Sequence, residues 1–182
     1  MEEINTLQDL LQTLHVPING WDLILVGDGS GSQWDTPGGW ACGMITRSRE
    51  TGDIHYLTPL VGAVSQGPIN WLEALPYWHG IRHHFYAMNG RALCEAGGVD
   101  VHIVSDSEWT VKAMSGKYQA NTHADMVLLF NFFRAQGYRL RWHHMRREIV
   151  KLNSIADKLS VNAREYINAL EYPVISEEFP IK

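Results

Sequence analysis

Trp21-Asp-Leu-Ile-Leu-Val-Gly-Asp-Gly-Ser-Gly31 decides the architecture of this chain. Trp21 to Val26 is an apolar run of strand length, and Gly27 to Gly31 reads as a break that holds one acid, Asp28, between glycines. Working outward, Trp40 to Thr46 predicts a second strand, entered through Pro37-Gly38-Gly39. Ile54 to Leu60 predicts a third, after the turn at Gly52-Asp53, so the three form an antiparallel meander. On the other side, Thr6 to His15 places Leu7, Leu10, Leu11 and Leu14 at helical spacing, and Pro17 with Asn19-Gly20 closes that helix.

Downstream the period changes. Asn70 to about Met88 carries Leu72, Leu75, Trp78, Ile81 and Phe85 on one helical face, with Pro76 near the start, where a missing N–H is tolerated. Val99 to Val104 is a short strand, Ser107 to Ser115 a helix, and His123 to Gln136 an apolar helix closed by Gly137. Tyr138 to His143 is a strand, Asn153 to Ala169 the last helix, and the tail with Pro173 and Pro180 is irregular. The order β-β-β-α-β-α-α-β-α predicts an α/β fold. It has a mixed five-stranded sheet, three antiparallel strands and then parallel ones, with helices on both faces and an extra N-terminal helix.

The 182 residues suit one domain, with a core over about 22–165, an N-terminal helix at 4–15 and a tail at 171–182. Hydrophobic residues at 45% and charged residues at 19% exclude a disordered or fibrous chain. No basic, apolar leader opens the sequence and no apolar run is long enough to span a bilayer, so a cytoplasmic location is expected. Cys42 and Cys94 lack a partner motif, which fits a reducing setting. The net charge of −5 hides an asymmetry: Arg134 to Lys158 holds seven basic and two acidic residues, +5 against −10 elsewhere.

Four acids stand at strand ends and helix starts: Asp28, Glu73, Asp106 and Asp157. Singly, each has a plainer role: Asp28 in a turn, Glu73 on a helix dipole, Asp106 as a helix cap, Asp157 on a solvated face. Together such carboxylates converge at one sheet edge, repel one another, and stay ionised only beside cations. Oxygen ligands alone select hard ions such as Mg²⁺ or Mn²⁺. His79 and His83, at i and i+4, have zinc-like spacing but no accompanying acid, and read as ordinary core or surface histidines.

The ordered set resembles the ribonuclease H family, type 1. Gly27-Asp-Gly-Ser with Pro37-Gly-Gly-Trp-Ala-Cys-Gly-Met-Ile resembles the family's first two strands, and Asn70-Trp-Leu-Glu-Ala-Leu its glutamate helix. Val101-His-Ile-Val-Ser-Asp-Ser resembles its fourth strand, and Asn153-Ser-Ile-Ala-Asp-Lys-Leu-Ser its closing motif, covering residues 22 to 165. The resemblance implies a metal-dependent endonuclease that hydrolyses the RNA strand of RNA/DNA hybrids and leaves 5′-phosphates, with Asp28, Glu73, Asp106 and Asp157 holding two Mg²⁺ ions (Mn²⁺ in their place). It also implies substrate contacts near Gly29, Ser30, Asn70 and Ser107.

Lys112 and Lys117 are expected on the non-cleaved strand and Arg146 and Arg147 on phosphates. His144 is the first candidate for a proton shuttle or product-release group and His143 the second, since only one of two neighbours on a strand faces the site. The sequence departs from the family at Pro68-Ile69-Asn70, where a Thr-Asn-Asn often stands, and at Glu108, where a glutamine is common. Those departures keep two alternatives open. One is the same site acting on double-stranded RNA or DNA; the other is a non-catalytic nucleic-acid- or protein-binding module, and a protein partner or homodimer is compatible with either.

Overall fold

The computed structural model describes residues 4–31, 36–87, 97–117 and 124–170, with side chains through residue 165. Cys94, the expected irregular tail and the end of the 115–123 connection lie outside the described residues. The elements are α1 (Leu7–Thr13), β1 (Leu23–Ser30), β2 (Gly38–Arg47), β3 (Ile54–Val64), α2 (Ile69–Ala87), β4 (Val99–Ser105), α3 (Glu108–Met114), α4 (Ala124–Ala135), β5 (Tyr138–His144) and α5 (Lys151–Leu170). The sheet runs β3-β2-β1-β4-β5, antiparallel across the first three strands of that order and parallel from β1 through β4 to β5. This is the mixed five-stranded sheet that the sequence predicts.

Helices cover both faces. On one, Tyr77 and Ile81 of α2 and Phe130 and Phe133 of α4 bury against Leu23, Leu25, Val101, Ile103 and Tyr138. Each such side chain contributes roughly 1.5–3 kcal/mol by leaving water. On the other, Leu10 and Leu11 of α1 pack with Trp21, Ile24, Val26, Ile45 and Val104, while Ala156 and Ala163 of α5 meet Ala41, Val61 and Ala63. Thr6 caps α1 by accepting from the Asp9 N–H at 3.2 Å. At its other end Val16 N–H reaches the Leu11 carbonyl at 2.9 Å and His15 N–H the Gln12 carbonyl at 3.1 Å, which puts His15 in left-handed backbone at φ 55°. Glycine is the usual occupant of that position, and a side chain there costs about 1–2 kcal/mol.

Three details differ from the sequence reading. β1 does not break at Gly27: its ladder with β2 continues from Gly27↔Cys42 to Ser30↔Gly39, and a paired backbone needs no turn. Pro76 is eight residues into α2, not in its first turn, and Glu73 is the fifth residue of that helix. The proline removes the N–H that the Leu72 carbonyl would accept, and its ring lies over Gly27. α5 begins at Lys151, two residues before the expected start, which moves Asp157 to its second turn.

Candidate active site

The site lies where β1 and β4 part. Their parallel pairing covers Leu23↔Val101 to Val26↔Val104 and stops there. Beyond it the strands diverge, and the carbonyls of Gly27 and Val104 lose ladder partners. The fully buried Tyr77 hydroxyl takes both, at 2.8 and 2.9 Å, sharing its one proton between them. Asp28 and Asp106 follow immediately on the two strands, so they flank the gap that Tyr77 props.

Glu73 reaches the gap from α2 because two glycines let that helix lie directly on β1. A Cβ on Gly27 would come 2.8 Å from Pro76 Cβ, and one on Gly29 would come 2.3 Å from the Leu72 carbonyl. The Gly29 backbone lies near enough to the Glu73 carboxylate to favour its charged form. On the opposite face Gly39 admits α5: a Cβ there would sit 1.9 Å from the Ser160 carbonyl oxygen. That contact brings Asp157 of α5 near Asp28, though outside the group formed by Asp28, Glu73 and Asp106.

Asp28, Glu73 and Asp106 each offer an oxygen within 4.8 Å of the others. Asp28 is fully buried. Three of their oxygens, Asp28 Oδ2, Glu73 Oε2 and Asp106 Oδ1, are buried without a hydrogen-bond partner. Buried, unpartnered carboxylate oxygens are rare and costly. Three aimed at one another fit a divalent cation, and an all-oxygen donor set fits Mg²⁺ or Mn²⁺.

Burial, then the charges of Glu73 and Asp106, pushes the Asp28 carboxyl far above the usual carboxylate range. Burial and the Asp106 charge lift Glu73 to about 8. Without a cation, burial and mutual repulsion therefore favour the protonated forms of this cluster.

Arg147 is the positive charge that the site does contain. Its Nε donates to Asp106 Oδ2 at 2.7 Å, its Nη1 to Asp157 Oδ1 at 2.7 Å, and its Nη2 lies 3.5 Å from Asp28 Oδ1. Burial opposes its charge, but the Asp106 hydrogen bond and the three carboxylates outweigh that and hold its pKa above the ordinary value. The sequence reading placed Arg147 on phosphate. The structure places it among the carboxylates, where it joins Asp157 to Asp106.

The other candidates divide. His144 Nε2 lies 3.2 Å from the Asp106 carbonyl, at the site's rim. His143 turns away: its Nε2 lies 2.9 Å from His102 Nδ1, with the rings stacked. Burial and the His102 charge lower it to about 4. Gly29 and Ser30 are buried, Gly29 beneath α2, so neither is an open backbone surface. Asn70 is half-buried at the start of α2.

Ser107, not Asp106, caps α3: its hydroxyl oxygen accepts from Thr110 N–H at 3.3 Å and from Thr110 Oγ1 at 2.9 Å. Lys112 pairs with Glu108, while Lys117 and Arg146 are exposed with no acidic partner among the described residues. His79 stacks on Trp40 with ring centroids 4.1 Å apart, and no described cluster joins it to His83 as a metal site.

No family model and no curated protein matches this sequence. Solved structures do match its shape. The N-terminal RNase H domain of rv2228c from Mycobacterium tuberculosis superposes with TM-score 0.62 at 18% identity, over 84% of this chain and 99% of that one. The fold is that of ribonuclease H. LC11-RNase H1 in complex with RNA/DNA hybrid gives TM-score 0.60 at 20% identity, over 82% and 99% of the two chains. RNase H1 from the halophilic archaeon Halobacterium salinarum gives 0.53 at 20%, over 80% and 98%. The four carboxylates of this chain thus lie on a ribonuclease H fold.

Two contributors escaped the sequence reading. Tyr77 carries a usable signal, one helical turn beyond Glu73. The carboxylate bridge by Arg147 carries none, because a loop arginine reads the same whichever way it points.

Proposed function

We propose that this chain is a divalent-metal-dependent endoribonuclease that cuts the RNA strand of RNA/DNA hybrids. The observation that carries the reading is the trio of buried, unpartnered oxygens on Asp28, Glu73 and Asp106 at the parting of β1 and β4 in a ribonuclease H fold. The hybrid is the substrate held by LC11-RNase H1, which shares that fold.

Asp28, Glu73, Asp106 and Asp157 would hold two Mg²⁺ ions. Bound there, the ions supply a nucleophilic water and neutralise charge on the leaving oxygen of an in-line displacement. The chain does the rest. Tyr77 fixes the two strand ends, so Asp28 and Asp106 keep their separation. The close approach of α2 at Gly29 orients Glu73. With cations on those carboxylates, Arg147 would be freed from Asp106 and Asp157, and its planar fork would suit a phosphate. His144, at the rim beside Asp106, would pass a proton to the departing group.

One observation favours a different reading. The Arg147 bridge neutralises the carboxylates with a side chain of the protein itself, as a non-catalytic binding module would. Cleavage of a labelled RNA/DNA hybrid with Mg²⁺ or Mn²⁺, beside RNA/RNA and DNA/DNA duplexes, separates the readings. We expect the RNA strand of the hybrid alone to be cut and Asp106→Asn to be inert. Cleavage of another duplex leaves the site and changes the substrate; no cleavage with either metal removes the enzyme reading.

A further inference from the structure

A groove of about 930 Å³ runs along the free edge of β5 and is lined by Trp142, His143 and His144, the last of which lies 3.2 Å from the Asp106 carbonyl. One wall is α3 and its continuation, with Lys112 and Lys117; the other is the end of α1, with Leu14 and His15; Met145, Arg146 and Ile149 complete it. Its only acid among the described residues, Glu108, is paired with Lys112. Lys117 and Arg146 are exposed cations without acidic partners among the described residues, and they line the same groove as His144, the neighbour of Asp106.

A second, independent feature marks the same wall. His15 holds left-handed backbone where glycine would rest without strain, and it lines the groove. A side chain kept in a disfavoured conformation on the rim of a cleft points to a role in binding. The floor under these groups is apolar (Leu14, Val111, Met145, Ile149), which suits sugars and base faces between phosphates.

We propose that this groove carries the nucleic-acid substrate onward from the cleavage site, with backbone phosphates on Lys117 and Arg146 and the N-terminal helix α1 as its outer wall through His15. The proposal rests on the nuclease reading above. It gives α1, which lies outside the stretch that resembles ribonuclease H, a part in binding. It also predicts that affinity grows as the substrate is lengthened past the site on one side only.

The test measures binding of hybrids of increasing length by fluorescence anisotropy, with Ca²⁺ in place of Mg²⁺, after cleavage by the wild type has been checked in Mg²⁺. The variants are Lys117→Glu with Arg146→Glu, His15→Gly, and Arg82→Glu on α2 as a charge control. We expect the double reversal to weaken binding of the long hybrid tenfold or more and to make its log–log salt dependence shallower by about 2, one for each lost phosphate contact. His15→Gly should raise the melting temperature while weakening binding, a pairing that a purely structural role would not give; Arg82→Glu should match the wild type.

If the wild type cuts hybrids while the double variant keeps both the length gain and the salt slope, the groove is not the strand's path and the nuclease reading survives. If the wild type neither cuts nor binds any nucleic acid, both fall together.

Discussion

Arg147 donates from Nε to Oδ2 of Asp106 over 2.7 Å, the shortest link between the basic loop after β5 and the acidic strand ends. The same guanidinium reaches Asp157 at 2.7 Å, so one charge serves carboxylates that the nuclease reading assigns to cations. Arg147 takes Asp106 Oδ2 and leaves Asp106 Oδ1 open, so on the nuclease reading its charge competes with that of a cation for the same carboxylates. Arg147→Met should therefore tighten binding of Mn²⁺ about tenfold, equivalent to ~1.4 kcal/mol of released competition. It should also lower the melting temperature of the metal-free protein, because the carboxylates lose their counter-charge. Titration calorimetry reads the first effect and a thermal melt the second; unchanged Mn²⁺ affinity would show that Arg147 and the metal do not compete.

Metal binding should depend on pH in a definite direction. Burial, the larger cause, together with neighbouring charge, raises Asp28 and Glu73, the latter to about 8. A carboxyl raised in the folded state stabilises the fold fully below its unfolded pKa, and that contribution is lost as pH rises through the folded value. His79, His84 and His143, lowered by burial to about 4, act the other way: what they contribute is present above their unfolded value and lost as pH falls toward 4. The two sets oppose each other in a plain pH–stability curve, so the informative quantity is the difference made by Mg²⁺ at each pH. The histidines cancel in that difference. The rise in melting temperature on adding Mg²⁺ should be small at pH 6 and grow to pH 9, corresponding to added stability on the order of a few kcal/mol in all. A rise that is flat with pH would mean that the cluster binds no metal, or binds it without releasing protons.

The sequence carried the order of elements and the three acids that gather at the strand ends because both depend on local pattern. Apolar runs of strand length, helical spacing after Asn70, and acids at element ends survive any packing. What it hid depends on tertiary contact. Gly27 to Ser30 reads as a break when scanned alone, since glycines usually mark turns. Only the ladder to Gly39 through Cys42 shows that these glycines are strand residues kept small for α2. Asp106 reads as the helix cap in sequence, and the geometry gives that role to Ser107. The difference between His143 and His144 is a matter of strand face, and the neighbour that decides it, His102, is 41 residues away from His143.

The glycines under the helices should be the most demanding positions in the chain. Gly29→Ala would put a methyl 2.3 Å from the Leu72 backbone, and Gly39→Ala would put one 1.9 Å from the Ser160 carbonyl. Neither contact is with a flexible side-chain tip, so a helix must move. Each should cost about 3 kcal/mol, toward the upper end for overpacking, and should weaken Mn²⁺ binding by displacing Glu73 or Asp157. Gly52→Ala is the contrast: its φ is +79° but nothing lies within 4 Å of the added methyl, so it should cost about 1 kcal/mol from backbone strain alone and leave metal binding untouched. Urea unfolding of the three variants checks the ranking, and equal costs would contradict the close packing of α2 and α5.

Tyr77→Phe isolates the strut from the helix that carries it. The ring stays and continues to meet Trp142 edge-on at 5.5 Å, so packing is preserved. The hydroxyl goes, and the carbonyls of Gly27 and Val104 are left buried with no partner in place of bonds of 2.8 and 2.9 Å. Orphaning such groups costs about 1–3 kcal/mol. Because those carbonyls belong to the residues immediately before Asp28 and two before Asp106, the two carboxylates should also lose their fixed spacing. The expected result is a modest loss of stability with a larger loss of cleavage, at least tenfold, that raising Mg²⁺ restores only in part. A variant that loses stability but cuts hybrids at the wild-type rate would reduce Tyr77 to a core hydrogen bond and leave the spacing of Asp28 and Asp106 to the strands alone.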